Sequence, residues 1–454
     1  MSALSRLVHR SLLAAALLGA ARLVAASEPT PRPPLVIERI EIEGNRRTSR
    51  EVVLGAIPLA PGDVADPAGI LEAAEQLGKS TLFRSAKAHT RPGSEPGRVV
   101  VVFEVEESRP HLRFGAGFED LSGWYLIPGE LNLDNLTGRG EALRVGFRLG
   151  YRLASLDVGL RSRLPFGWRG HGELGLSVQA LDRVYFLEGT EIDQRVAREP
   201  RVHGGLDVPL GARWTVTARA AYEHVDVDSS ATVYQDREIL GRSRGDPVPF
   251  ESLPPGIQED AGAQDQGRFQ LALALDTRQG PDLTQRGVWG RLQTEAVASS
   301  REPFAGLDAE ARAFFPVARG ALLAGRVRAA AVTEGAPFFE RHSLGGLYSV
   351  RGFPSQSLSP PEGDRALVVA SAEARTLWVG TPERAIVTGL LFLDAGIGWG
   401  DAPNDRGTLE AGAGYGWRIG IPWIQQLGID VGFPLTDSPV DEAFHVNVSL
   451  WWTF

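Results

Sequence analysis

The sequence predicts a membrane all-β fold, a sixteen-stranded barrel preceded by one small α/β domain of order β-α-α-β-β. Three observations carry that prediction. Residues 109–454 alternate apolar and polar positions almost throughout, which gives each strand one apolar face and one wet face. No apolar run in the chain reaches the ~20 residues that a spanning helix requires, so a membrane protein of this kind must close its sheet to satisfy its backbone. Residues 35–108, by contrast, pass from strand to helix and back, as a separate compact unit does.

Bulk properties agree with an exported, strand-rich chain. At 454 residues it exceeds the usual single-domain size. Cysteine is absent, which suits an envelope protein large enough to need no disulfide staple, although a cytosolic protein can lack it too. The net charge of -9 includes no long basic block, which argues against nucleic acid as a partner. With 53 Gly, 10 Trp and a single Met, the composition favours tight turns and interfacial aromatics over a helical core. Residues 1–26 read as a signal peptide: Arg6, His9 and Arg10 precede the apolar run Ser11 to Ala21, and Val24-Ala25-Ala26 offers small residues for cleavage. An uncleaved anchor is the alternative there. Residues 27–34, with Pro29, Pro31, Pro33 and Pro34, form a linker.

The unit at 35–108 opens with a strand carrying Ile37, Ile40 and Ile42 and ending at the turn Gly44-Asn45. Thr48 or Ser49 then caps a helix through Ala56, with Glu51 in its first turn. Asp66-Pro67 starts a second helix, Asp as cap and Pro at the first helical position. Its Ile70, Ala73, Ala74 and Leu77 share one face. Strands from Leu82 to His89 and from Val99 to Val105 complete the unit.

In the region 109–454 the clearest strands are 143–152, with apolar odd positions and Arg or Gly at even ones, and the last one, where Phe444, Val446, Val448, Leu450, Trp452 and Phe454 alternate with polar partners. Starts fall near His111, Tyr125, Glu141, Ala154, His171, Pro200, Ala212, Gly267, Gly287, Ala305, Ala321, Asp364, Ala385, Thr408, Gln425 and Ala443, an even number as a single-chain bacterial barrel requires. Residues 229–266, rich in Pro, Gly, Asp and Glu, read as an outward-facing loop or a disordered insertion. A soluble β-sandwich also alternates, but the number of strands and the arginines and glycines on the wet face argue for a barrel.

Enzyme chemistry finds no support. The chain has no His-Glu-x-x-His, no Gly-x-Ser-x-Gly and no phosphate loop, so no catalytic residue, metal or cofactor is expected. Gly412, Gly414 and Gly416 lie at period two on a strand and belong to a wall, not to a dinucleotide loop. The informative segment is Ser349-Val350-Arg351-Gly352-Phe353, between the eleventh and twelfth strands. Its arginine, planar and able to grip a carboxylate with two hydrogen bonds, has Asp394 and Glu373 as candidate partners.

These motifs resemble a known family. Residues 35–108 are similar to a polypeptide-transport-associated (POTRA) domain through Ile40-Glu41-Ile42-Glu43-Gly44-Asn45, Thr48-Ser49-Arg50-Glu51, Leu77-Gly78 and Phe103-Glu104-Val105-Glu106-Glu107. The barrel resembles the BamA/TamA and two-partner-secretion superfamily, the bacterial surface antigen barrels. It does so through Val350-Arg351-Gly352-Phe353, Ser371-Ala372-Glu373-Ala374-Arg375, Phe392-Leu393-Asp394-Ala395-Gly396, Asp276-Thr277-Arg278 with Gln285-Arg286-Gly287, and Gly412 to Gly416 leading to Asp430-Val431-Gly432-Phe433-Pro434-Leu435.

The resemblance implies an outer-membrane protein that inserts or translocates polypeptides. Its POTRA domain would lie in the periplasm and receive unfolded or extended clients, with accessory envelope proteins as further partners and the lipid bilayer around the barrel. It also implies that loop Val350, Arg351, Gly352 and Phe353 folds inward onto Glu373 and Asp394, and that Trp452 and Phe454 belong to a carboxy-terminal insertion signal. A secretion pore dedicated to one partner and a passive channel or structural barrel remain open. One POTRA unit, where relatives have two, three or five, leaves the client undetermined.

Overall fold

The computed structural model describes residues 34–454 apart from 81, 109–110, 120–122, 151, 165–169, 235–243, 402–406, 422–424, 438–441 and 451–453. The signal-peptide reading and most of the linker therefore lie outside the described residues, as does Trp452. The chain divides between Ser108 and Arg109 into two compact units.

The first unit contains β1 (Val36–Glu43), α1 (Arg50–Leu54), α2 (Pro67–Lys79), β2 (Phe83–Pro92) and β3 (Arg98–Glu107). Ser49 caps α1 by accepting from the Val52 amide, and Asp66 caps α2 by accepting from the Gly69 amide. The first helix stops at Leu54, two residues short of the sequence expectation. Gly55 follows at once, and Pro58 bars helical backbone at Ile57. The sheet order is β1-β3-β2, with β3 parallel to β1 and antiparallel to β2. That central place explains the unbroken apolar run of β3, whose Val101, Val102 and Phe103 are fully buried. Ile37, Val53, Ile70, Leu77 and Phe103 share the core between sheet and helices. The strands β1 and β2 are the two edges.

The second unit is one antiparallel ring. In chain order its strands are β4 (His111–Glu119), β5 (Gly123–Asp134), β6 (Ala142–Gly150), β7 (Leu153–Arg163), β8 (His171–Leu187), β9 (Thr190–Leu210), β10 (Trp214–Tyr234), β11 (Arg244–Val248), β12 (Gly262–Asp276), β13 (Gly287–Ser299), β14 (Phe304–Ala318), β15 (Ala321–Val332), β16 (Ala366–Thr381), β17 (Arg384–Trp399), β18 (Leu409–Ile421), β19 (Gln425–Pro434) and β20 (His445–Leu450). The strand order returns to its start, with β20 and β4 as neighbours at the seam. The short β11 joins only the far end of β10, which pairs directly with β12 over Trp214 to Val227. The wall therefore has sixteen staves, as the alternation predicts. No helix among the described residues is long and apolar enough to cross a membrane.

Period two sorts the side chains. Leu156, Leu174, Leu206, Phe269, Leu271, Leu292, Leu307, Leu391 and Leu393 all point outward and are exposed. A continuous apolar band of this kind is unfavourable in water and natural in lipid. Exposed aromatics lie near both rims of the wall, Trp214, Phe315 and Trp378 at one end and Tyr222, Phe433 and Phe444 at the other. Two-residue turns at 319–320 and 382–383 lie at one end, and the long segment 333–365 lies at the opposite one, which also carries the short turn 188–189. Short turns are the periplasmic end of such barrels, and long loops the outer end.

The reading of 229–266 as a loop is corrected in part. The strand β10 runs to Tyr234, β11 and a short helix α3 (Pro255–Asp260) follow, and β12 already begins at Gly262. Apolar content explains the difference. Val225, Val227, Ala231, Leu253 and Ile257 are buried with Tyr185, Ile192, Phe338 and Phe339 in a second core at the loop end. The prolines that suggested a loop instead start the helix, with Pro255 at its first turn.

Candidate functional site: a buried ion cluster at the loop tip

Segment 333–365 leaves β15 and returns to β16. Gly345 and Gly346 both take positive φ, +98° and +88°, which allows the chain to double back. Leu344 and Leu358 pack against Ala330, Leu367 and Val369 of the wall. At the tip Val350 and Phe353 are 0% exposed and Arg351 is 1% exposed.

The Arg351 guanidinium meets three carboxylates. Its Nε and Nη2 donate to Asp394 Oδ2 and Oδ1 at 2.6 and 2.9 Å, a bidentate pair, and its backbone amide adds a bond to Oδ2 at 3.2 Å. Nη1 donates to Glu373 Oε1 at 2.7 Å and reaches Asp430 Oδ2 at 3.4 Å. The Phe392 ring lies under the same cation, 3.7 Å from its central carbon. Burial disfavours the cation, but Glu373 and Asp394 outweigh it and hold the Arg351 proton more tightly than usual.

Strand periodicity brings the acids together. Glu373 on β16, Asp394 on β17 and Asp430 on β19 all occupy inward positions, and each is at most 2% exposed. Two further arginines complete the set. Arg375 Nε donates to Glu373 Oε2 at 2.8 Å, and Arg418 Nη1 and Nη2 donate to Asp430 Oδ1 and Oδ2 at 2.6 and 2.9 Å. Three cations thus face three anions, so the cluster is neutral. Such a cluster need not stabilise the fold more than apolar packing would, but removing one member leaves an unbalanced buried charge at a cost of ~3–5 kcal/mol.

Glycines make the seat. Gly352 has φ +109°, and a Cβ there would come within 2.9 Å of the Phe433 carbonyl. Opposite, a Cβ at Gly412 would strike the Arg351 carbonyl oxygen, and one at Gly432 the Gly352 amide. The period-two glycines of β18 and β19 therefore form a trough that admits the backbone of the loop tip.

Arg375 also reaches Phe454. Its Nη2 donates to the Phe454 carbonyl at 3.0 Å, and its guanidinium carbon lies 5.2 Å from the Phe454 ring centre. That ring is buried among Leu283, Phe314, Leu322 and Ala324. A path of hydrogen bonds thus runs from Arg351 through Glu373 and Arg375 to Phe454.

Sequence reasoning singled out Arg351, Glu373 and Asp394, and the structure brings them into one cluster. It did not assign Asp430, Arg418 or Arg375 to the site. Asp430 and Arg418 each alternate with inward glycines, and that pattern was the available signal. Among the described residues no group of three or more side chains is arranged to hold a metal ion. Every carboxylate of the cluster faces a guanidinium, and the arrangement can hold a loop in place.

The geometry defines a class: a closed β-barrel with an apolar outer face, in which Arg351 of the long 333–365 segment bonds to inward carboxylates of the wall. Residues 135–452 match the Omp85 superfamily domain, and residues 35–108 match the POTRA family of surface antigen variable number repeats. The chain belongs to the Omp85 superfamily and carries one POTRA domain in the matched region. It is 24% identical over 431 residues to the outer membrane protein assembly factor BamA of Nitratidesulfovibrio vulgaris, covering 89% of this chain and 49% of that protein. The chain thus spans about half the length of this relative. In fold it is similar to BamA from Haemophilus ducreyi lacking POTRA domains 1–3, with TM-score 0.65 and 15% identity over 92% of this chain and 85% of that one. It is also similar to CdiB from Escherichia coli, with TM-score 0.59 and 14% identity over 91% and 75% of the two chains.

Proposed function

We propose that this protein inserts polypeptides into the outer membrane or translocates them across it, without nucleotide hydrolysis. Extended clients add to an edge of the POTRA sheet, above all along β2, which pairs with a strand on one side only, whereas the start of β1 is already covered where Ile37 bonds to Gly62 and Asp63. The barrel then passes them through its lumen or opens at the seam between β20 and β4. One observation supports this reading above the others: the neutral cluster of Arg351, Arg375 and Arg418 with Glu373, Asp394 and Asp430 pins the loop tip inside the wall. A passive channel has no need for that investment of buried charge. Similarity to an assembly factor over most of the chain supports the insertase form.

The fold likeness to CdiB keeps a second form in play, a pore dedicated to one secreted partner. Depleting the protein and comparing outer-membrane and secreted proteomes separates the forms. Loss of several outer-membrane barrels is the expected result. Loss of one exoprotein alone identifies the dedicated pore, and solute conductance with neither proteome altered identifies a passive channel.

A further inference from the structure

We propose that Glu340 is a second anchor of the same loop, opposite in sign to Arg351 and fastened to the opposite arc of the wall. Glu340 closes a short 3-10 turn, Phe338–Glu340, eleven residues before the tip arginine. Its Oε1 accepts from Arg198 Nη2 on β9 at 2.7 Å and from Arg268 Nη2 on β12 at 2.8 Å. Its side chain is 11% exposed, and that of Arg268 8%. Burial works against the Glu340 carboxylate, but Arg198 and Arg268 outweigh it and hold its proton affinity below the usual range.

Neighbouring groups fix this turn in place. The Phe338 amide donates to Asp260 Oδ2 of α3 at 2.7 Å, and the Phe338 ring packs edge-on against Tyr185. Arg183 Nη2 donates to the Arg341 carbonyl at 3.0 Å and to Ser343 Oγ at 3.1 Å. Arg268 in turn is held by Glu223 of β10 and Glu295 of β13 at 3.1 and 2.9 Å. The cation that receives Glu340 is therefore oriented by the wall before the loop arrives.

The two anchors differ in kind. At the tip, the loop supplies an arginine and the wall supplies acids on β16, β17 and β19. At Glu340, the loop supplies an acid and the wall supplies arginines on β9 and β12. The loop springs from β15, between these arcs, and ties one to the other. Gly345 and Gly346, both at positive φ, separate the anchors, so the tip can leave its trough while the Glu340 turn stays docked. Opposite signs also prevent mis-seating, because either anchor in the other's site would meet like charge. Glu340 is thus a positioning residue, and its importance for client handling rests on the function proposed above.

The test uses the full-length protein in outer-membrane vesicles, with heat-dependent gel mobility to establish that the barrel is folded. Trypsin added from outside cuts after Arg341 only when the Glu340 turn is released. Glu340→Gln is expected to raise that cleavage about tenfold or more, because a buried charge pair has lost one partner. Cleavage after Arg351 should stay slow. Glu340→Asp, which keeps the charge, should restore part of the protection. Unchanged cleavage in Glu340→Gln overturns the proposal, and so does a Glu340→Asp variant cut as fast as Glu340→Gln. If cleavage responds as expected while outer-membrane assembly is unaltered, the anchor stands and the functional role of loop docking falls.

Discussion

Two regions of the barrel lumen use the same residue types on inward positions and put them in opposite environments. On β7, β9 and β10 the inward Arg161, Arg201 and Arg219 have side chains 51%, 36% and 47% exposed, beside acids such as Asp207 at 3.6 to 3.9 Å. On β16 to β19 the inward Arg375, Arg418, Glu373, Asp394 and Asp430 are at most 3% exposed. The difference is the loop. Where it lies, water is excluded and each charge must have a designated partner. Where it does not, charges remain solvated and their pairing contributes little.

That contrast can be broken directly. The largest difference is expected between Arg351→Ala and Arg219→Ala. The first leaves three acids facing two arginines in a buried site and should destabilise the docked loop by ~3–5 kcal/mol, read as a fall in the denaturant concentration at which the loop becomes protease-sensitive. The second removes a half-exposed charge and should change the same midpoint by no more than about 0.5 kcal/mol. Equal effects would show that the two regions are not different environments.

A smaller contrast is expected between glycines. Gly412→Ala places a methyl group against the Arg351 carbonyl and should displace the loop tip. Gly146→Ala on β6 meets only the Asp157 carboxylate, at 3.9 Å, and should leave loop protection unchanged. Steric exclusion at one and open lumen at the other is the same comparison made without charge.

The smallest expected effect is on pH. Burial pushes His342, at the root of the loop, down to about 4, with Arg328 of β15 and Arg183 of β8 acting in the same direction and Asp308 of β14 and Glu295 of β13 opposing. A histidine with a depressed pKa favours the docked state fully above its free value of ~6.5 and loses that contribution as pH falls toward 4. Loop protection should therefore weaken between about pH 6.5 and 4. His342→Gln should flatten this dependence, and an unaltered slope would assign it to other groups.

Most of the wall was legible in the sequence because a strand writes its two faces at period two. All sixteen staves of the ring, including the short-spaced final ones, follow from that rule. The helix caps Ser49 and Asp66 were legible for a similar local reason. The site was legible only at its tip, where Arg351, Glu373 and Asp394 sit in recognisable segments. Arg375 and Asp430 also lie in segments that carry the resemblance, and Arg418 and Asp430 share their face with glycines, but nothing local gave any of the three a partner or set its burial apart from the solvated Arg144 or Arg219. Their partners are set by neighbouring strands and by a loop, across intervals that no local pattern spans. Glu340 carried no signal at all, since its environment arises from β9, β12 and α3 together. The error at 229–266 has the same origin: prolines and acids read as a loop, while the apolar residues between them found a core only through the distant Phe338 and Phe339.

The central claim is that the loop tip is seated in the wall by the Arg351 cluster. The chain contains no cysteine, so a single one reports without interference. Val350→Cys places a smaller side chain at a position with 0% exposure, next to the arginine. In intact outer membranes a membrane-impermeant maleimide should leave Val350→Cys unmodified, and adding Arg351→Ala should make it react. Ready labelling of Val350→Cys with Arg351 in place, or continued protection after Arg351→Ala, would contradict the account.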